Sequence, residues 1–273
     1  MMQRLCCILL GALTGAIVAF PDAAFWSAED ALTLFLNRVM PSLFPMMMAL
    51  LLLSSRLPER RGIYALLSLL CGSPAGSRLC AALPSDTPGK MRFAALNGTL
   101  SPMFLLSVIP SVMGFSSGVP LLLCHMAGAV FTSFLIPQKN APHGKAQTKK
   151  APLSLASSAV EAGKSLLIVC GCMVFASVLL SMLRCALPFL SANAFTLFHL
   201  TIEITGGLKA LSGSTLPRKE LLAVCFSSFG GVSILMQNAA FWQTSGVGMG
   251  KLCLYRILHA LLSTALYAMI FFP

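Results

Sequence analysis

The sequence predicts an all-α polytopic membrane protein of about seven transmembrane helices plus two re-entrant hairpins, arranged as an inverted repeat. Three observations predict it. First, 57 % of the 273 residues are hydrophobic and only 10 % are charged, whereas soluble domains carry about 25 % charged residues. Mean hydropathy is +0.85. Second, uncharged runs recur. Residues 5–20, 165–183 and 257–273 each approach the roughly 20 apolar residues that a spanning helix needs. No Asp, Glu, Lys or Arg occurs from Phe93 to Pro137, and a further charge-free run covers 221–250. Third, Gly/Ser-bearing breaks interrupt the apolar segments in the same order in both halves.

The elements follow in chain order. A first transmembrane helix covers 5–20, with Arg4 at its basic end. It also has the makings of a signal peptide, but the small-residue site between Ala16 and Ala24 is poorly formed, so an uncleaved helix is expected. The acidic stretch PDAAFWSAED reads as an external link, giving an N-terminal unit of 1–28. The first repeat, 29–137, opens with a helix over about 30–55, bent by Pro41 and Pro45. A basic turn, RLPERRG, leads to residues 63–84, which Gly72-Ser73-Pro74-Ala75-Gly76 interrupts near the middle. Each arm is about half of what crossing requires, so a re-entrant hairpin is expected. Its open tip survives in a membrane only if buried in protein or facing a wet cavity. A span at 93–113 is broken by Asn97-Gly98-Thr99-Leu100-Ser101-Pro102, and a plain span covers 118–136.

A basic loop over 138–152 separates the halves. The second repeat, 153–273, has a helix at about 156–187 and a hairpin at 194–213, broken at Gly206-Gly207. A span at 221–242 is broken at FGGVS, and a last span covers 252–272. At one fixed offset Glu29 falls on Glu161, Gly98 on Gly230, Ser101 on Ser233 and Gly118 on Gly250. Each half crosses three times if its hairpin turns back, so the second half would be inverted. Inverted repeats with paired broken helices point to a secondary transporter. A competing topology makes 194–211 a full span and 221–242 the second hairpin. It relieves one tension, since the inverted arrangement puts Arg218 and Lys219 on the outer side.

The net charge of +11 gathers in short linkers: Arg56, Arg60 and Arg61; Lys90 and Arg92; Lys139, Lys145, Lys149 and Lys150. That is the pattern of cytoplasmic loops, and it argues for topology rather than nucleic-acid binding. Most of the ten cysteines lie in apolar runs, where a free Cys acts as a small hydrophobe. No Cys/His set has zinc spacing, so no metal and no cofactor is expected. HExxH and P-loop motifs are missing from the sequence, and no enzyme is read from it.

Six stretches, NRVMPSLFP (37–45), CGSPAGSR (71–78), NGTLSPMF (97–104), EITGGLKAL (203–211), SFGGVS (228–233) and RILHALL (256–262), resemble the sporulation integral membrane protein family of the YlbJ type. That family belongs with the nucleoside-recognition, or Gate, domain proteins and looks related to concentrative nucleoside transporters. The resemblance runs over nearly the whole chain after the first helix. It implies binding sites between hairpin tips and broken helices, a place in the bacterial cell membrane (the outer forespore membrane) and export of dipicolinate during sporulation. One position departs from the pattern: the family's His, two residues after the Ser of FGG-x-S, is Leu235 here.

The candidate residues sit at the breaks. An ionisable residue at the centre of a spanning helix costs at least about 2.5–3.5 kcal/mol, so Glu203 and Lys209 need a reason. Glu203 is the candidate coupler of a proton or cation. His199, four residues earlier on the same helical face, is placed to share that proton, or to serve at the interface. Lys209 binds substrate, pairs with Glu203 or snorkels to the surface. Ser73 and Thr205 stand at the two tips, as anion-binding hydroxyls beside half-helix N-termini or as local caps. Arg78 offers a fork for a carboxylate or reaches the cytoplasmic surface. Asn97, Ser101, Ser233 and Gln237 occupy the broken spans, as site residues or as close-packing ones. Arg184 and Arg256 read as interfacial anchors. The expected function is movement of a small anionic solute across the bilayer by alternating access. A nucleoside carrier and a non-transporting scaffold for spore envelope assembly stay open, as does a homo-oligomer.

Overall fold

The computed structural model describes residues 2–58, 60–81, 87–137, 152–242 and 245–271. The basic loop expected at 138–152 and the end of the 63–84 hairpin lie largely outside them. Among the described residues every regular element is helical. Four helices are long and apolar enough to cross a membrane: Pro21–Ser54, Leu155–Ala186, Lys219–Trp242 counted through its break, and Met249–Phe271. Large apolar side chains such as Leu5, Phe131, Leu167 and Met269 are exposed. Apolar surface on that scale has no place in water. The chain is an α-helical protein compatible with an integral membrane location.

Helix α1 (Met2–Ala19) ends at Phe20, and α2 (Pro21–Leu34) begins at once. The acidic link expected at 21–30 is therefore helical. Pro21 sits in the first turn, where its missing N–H costs nothing, and Asp22 complements the positive end of the helix. A π-turn at Phe35–Val39 joins α2 to α3 (Met40–Ser54), with the Met40 N–H donating to the Phe35 carbonyl. Pro41 and Pro45 follow. A wider turn lets the backbone continue past rings that remove donors and crowd the preceding carbonyls. The same device recurs before Pro110, where a π-turn at Phe104–Val108 precedes α7 (Ile109–Met113).

Two short helices, α4 (Arg61–Cys71) and α5 (Ala75–Ala81), form the first hairpin. Its arms pack so closely that a Cβ on Gly76 would lie 2.7 Å from the Ser68 carbonyl oxygen. Helix α6 (Thr87–Asn97) then breaks at 98–101 before the π-turn, and α8 (Val119–Phe134) closes the first half. The second half opens with α9 (Leu155–Ala186), capped by the Ser154 hydroxyl, and packs it against α2, α3 and α10. The second hairpin is α10 (Ala192–Ile202) and α11 (Ile204–Gly213). Helix α12 (Lys219–Phe229) breaks at Gly230, at φ +89°, before α13 (Gly231–Trp242). The last helix, α14 (Met249–Phe271), packs against α8 and α12.

The second hairpin corrects one expectation. Its break is at Glu203, whose backbone is extended, and not at Gly206-Gly207. The glycines lie inside α11 and let its first turn press on α10. A Cβ on Gly207 would stand 2.6 Å from the Leu200 Cα, and one on Gly206 2.6 Å from His199 Nε2. The two arms thus fold back on one another, whereas α12 and α13 share little packing.

Candidate functional site

The four breaks converge. One cavity of about 30 Å³ is lined by Ser73 from the first tip, Leu100 and Ser101 from the first broken span, Glu203, Ile204 and Thr205 from the second tip, and Ser233, Ile234 and Gln237 from the second broken span. The π-turn side chains Val39 and Phe104 and the α9 residues Val169 and Met173 complete an apolar wall. The volume holds about two waters, so any aromatic or nucleoside solute needs the walls to part.

Among the described residues Glu203 is the only charged side chain that lines the cavity. It is 2 % exposed. Its Oε1 accepts from the Thr205 N–H at 2.9 Å and its Oε2 from the Gly206 N–H at 2.6 Å. The carboxylate therefore caps the helix that it starts, taking the first free N–H groups and facing the positive end of α11. This has a second consequence. The half-helix N–H groups expected to greet a substrate anion at this tip are already engaged.

The first tip is built from its neighbour. The Ser73 N–H donates to the Thr99 carbonyl at 2.7 Å, binding the tip to the break in the next span. The Ser73 hydroxyl donates to Asn238 Oδ1 at 2.7 Å, reaching across to α13. Gly72 makes the approach feasible. It sits at φ +65°, and any Cβ there would run into the backbone of Leu100 and Ser101. Ser101 Oγ accepts from the Phe104 N–H at 3.2 Å, and the Gln237 amide donates to Ser233 Oγ at 3.4 Å. Thr205 is buried at the start of α11, its N–H held by Glu203.

Four expected site residues lie elsewhere. Arg78 points away from the cavity, to α9: its Nη2 pairs with the Glu161 carboxylate, and its Nη1 donates to the Glu161 carbonyl at 3.1 Å and the Ser165 hydroxyl at 3.3 Å. Asn97 is fully buried but faces the first hairpin, where it bonds the Ser68 hydroxyl and donates to Cys80 Sγ at 2.9 Å. Lys209 is exposed and makes no ion pair with Glu203. It stands six residues past the break, on the outer side of α11. His199 does not line the cavity, yet stays close to the coupler candidate. A Cβ on Gly206 would be 2.6 Å from His199 Nε2 and 3.0 Å from Glu203 Oε2, so Gly206 keeps the space between them open.

The sequence reading missed Asn238 and misplaced Arg256. Asn238 follows Gln237 directly, and a polar pair inside an apolar span was the available signal. Arg256, read as an interfacial anchor, is 1 % exposed. Its Nη2 donates to the Ser228 carbonyl at 2.6 Å and its Nε to that of Phe229 at 3.1 Å, on the negative end of α12. Leu235, where the resemblance departs, packs on the buried cluster around Trp242 and not on the cavity.

Compared with known proteins, the chain matches no family model, no curated protein and no solved structure.

Proposed function

We propose that the chain is a secondary carrier that moves a small solute across a bilayer by alternating access through the Glu203 cavity. In this reading it crosses seven times, and the α4–α5 and α10–α11 hairpins are re-entrant halves of an inverted repeat. The observation that carries it is the convergence of both hairpin tips and both broken spans on one small cavity that holds Glu203 among hydroxyls and apolar side chains. Broken backbone at membrane depth is tolerated only where it is buried or lines a cavity, and paired breaks mark carrier sites.

Glu203 is the coupling group. Its carboxylate is held by two N–H groups and enclosed with hydroxyls, so loading it with a proton or cation changes the charge of the cavity by one unit. The solute is a small anion that travels with this proton or cation, and dipicolinate is the candidate on the resemblance. A second reading, a nucleoside or nucleobase, is favoured by one observation: among the described residues Glu203 is the sole charged side chain in the lining. A neutral polyhydroxyl solute needs no cation there.

The test is uptake of labelled dipicolinate and of labelled uridine into proteoliposomes, for wild type and Glu203→Gln, with and without a pH gradient. Saturable, gradient-dependent dipicolinate uptake, abolished in the variant, is expected. Uridine uptake alone transfers the assignment to nucleosides. Uptake of neither, under any gradient, removes the carrier reading for these solutes and leaves the scaffold.

A further inference from the structure

Arg256 is a guanidinium sealed at the heart of the molecule. A buried charge without compensation is costly, and among the described residues its side chain meets no carboxylate. Two of its nitrogens are spent on the carbonyl end of α12, which explains part of its presence as a helix cap. The third, Nη1, is buried without a hydrogen-bond partner among the described residues.

Asn238 shows the same pattern. It is 1 % exposed. Its Oδ1 accepts from Ser73 on the cavity side, and its Nδ2 is buried with no partner among the described residues. Glycines from both broken spans border the pair. A Cβ on Gly98 would lie 3.1 Å from Asn238 Nδ2 and 4.0 Å from Arg256 Cδ, and a Cβ on Gly230 would lie 3.2 Å from Arg256 Nη2. Ser73 belongs to the cavity and to this cluster at once. The Gly230-Gly231 break is a shared wall, since Gly231 faces the Thr201 and Ile202 carbonyls just before Glu203.

We propose that Arg256 Nη1 and Asn238 Nδ2 form a carboxylate-binding site behind the Glu203 cavity, where the two broken spans meet. Both free groups are donors, and one carries full positive charge, which selects an anion over a neutral isostere. Both side chains border Gly98, Asn238 through its Nδ2 and Arg256 through its Cδ. Ser73 rotating off Asn238 is the step that joins the site to the cavity. The site supplies the cation that the cavity lacks. That an anion binds here stands on this geometry; that the anion is the transported solute rests on the carrier reading.

The probe is dipicolinate against its neutral diamide, which has the same outline without charge, titrated calorimetrically into the purified full chain in detergent micelles. Wild type is expected to bind the diacid about tenfold or more tightly than the diamide. Arg256→Gln and Asn238→Asp each remove that preference and leave diamide affinity within about twofold, because a lost positive charge and an added negative one act on the anion alone. Should Arg256→Gln fail to fold for want of its cap, Asn238→Asp decides, since it leaves the cap and the acceptor for Ser73 in place. Equal binding of diacid and diamide overturns the site, as does binding of neither, or parallel loss of both in a folded variant. Flux is read separately: a chain that binds by charge but carries nothing keeps this site and sinks the carrier, and a carrier indifferent to charge does the reverse.

Discussion

The two hairpin tips reach the same cavity by opposite means. The first tip is neutral and borrowed: Gly72 turns at φ +65°, and Ser73 is held by the Thr99 carbonyl and the Asn238 side chain of other elements. The second is charged and self-sufficient: Glu203 ends α10, starts α11 and caps α11 with its own carboxylate. A borrowed tip moves only if its neighbours move, whereas a self-capped tip can travel as a unit with α10 and α11. The difference assigns shape to the first half and charge to the second.

The sharpest way to break this contrast is Gly72→Ala. The new Cβ meets the backbone of Leu100 and Ser101, and the backbone angles there (φ 65°, ψ −169°) belong to a region that only glycine enters freely. Strain of about 1–3 kcal/mol adds to overpacking of about 1–3 kcal/mol. Thermal unfolding in micelles should show a large loss of stability or no folded protein at all. A variant as stable as wild type would mean that the first tip is not pinned to the broken span.

Ser73→Ala asks less of the backbone and removes the link to α13. It leaves Asn238 Oδ1 buried without its donor, at a cost of about 1–3 kcal/mol. The expected result is a folded protein with a lowered midpoint. Because Ser73 also bounds the cavity, solute affinity should fall with it, and unchanged affinity would remove its hydroxyl from the site.

The sequence made the breaks legible because Gly, Ser and Pro inside apolar runs have few other uses at membrane depth. Side chains close to their breaks, Ser73, Ser101, Thr205, Ser233 and Gln237, come together in the lining of one cavity, since a side chain near its break goes where the break goes. Long side chains do not: Arg78 and Lys209 extend several ångströms from their Cα, and one-dimensional spacing does not say in which direction. The exact break at Glu203 was hidden because Glu is not among the usual capping residues, while the Gly-Gly pair beside it advertised a break and serves packing. Arg256 was misread for a related reason: an arginine within two turns of a helix start looks interfacial until a second helix end is found lying against it.

The weakest expected effect sharpens the contrast most quietly. Arg78 and Lys164 share the Glu161 carboxylate, joining the first hairpin to α9, and the Arg78 and Glu161 side chains are 34 % and 24 % exposed. An ion pair with that much exposure contributes only about 0–1 kcal/mol. Arg78→Gln should therefore shift the unfolding midpoint little. Under the proposed carrier function its value is in the transport rate. If the first hairpin must stay fixed while the second moves, loosening its arm from α9 leaves the turnover of the carrier unchanged. If the first hairpin is the moving part, the released arm changes turnover with no change in solute affinity, and a compensating Glu161→Gln in the same chain adds nothing further. On the proposed carrier function, the comparison of Arg78→Gln, Glu161→Gln and the double variant in proteoliposomes thus decides which of the two tips moves.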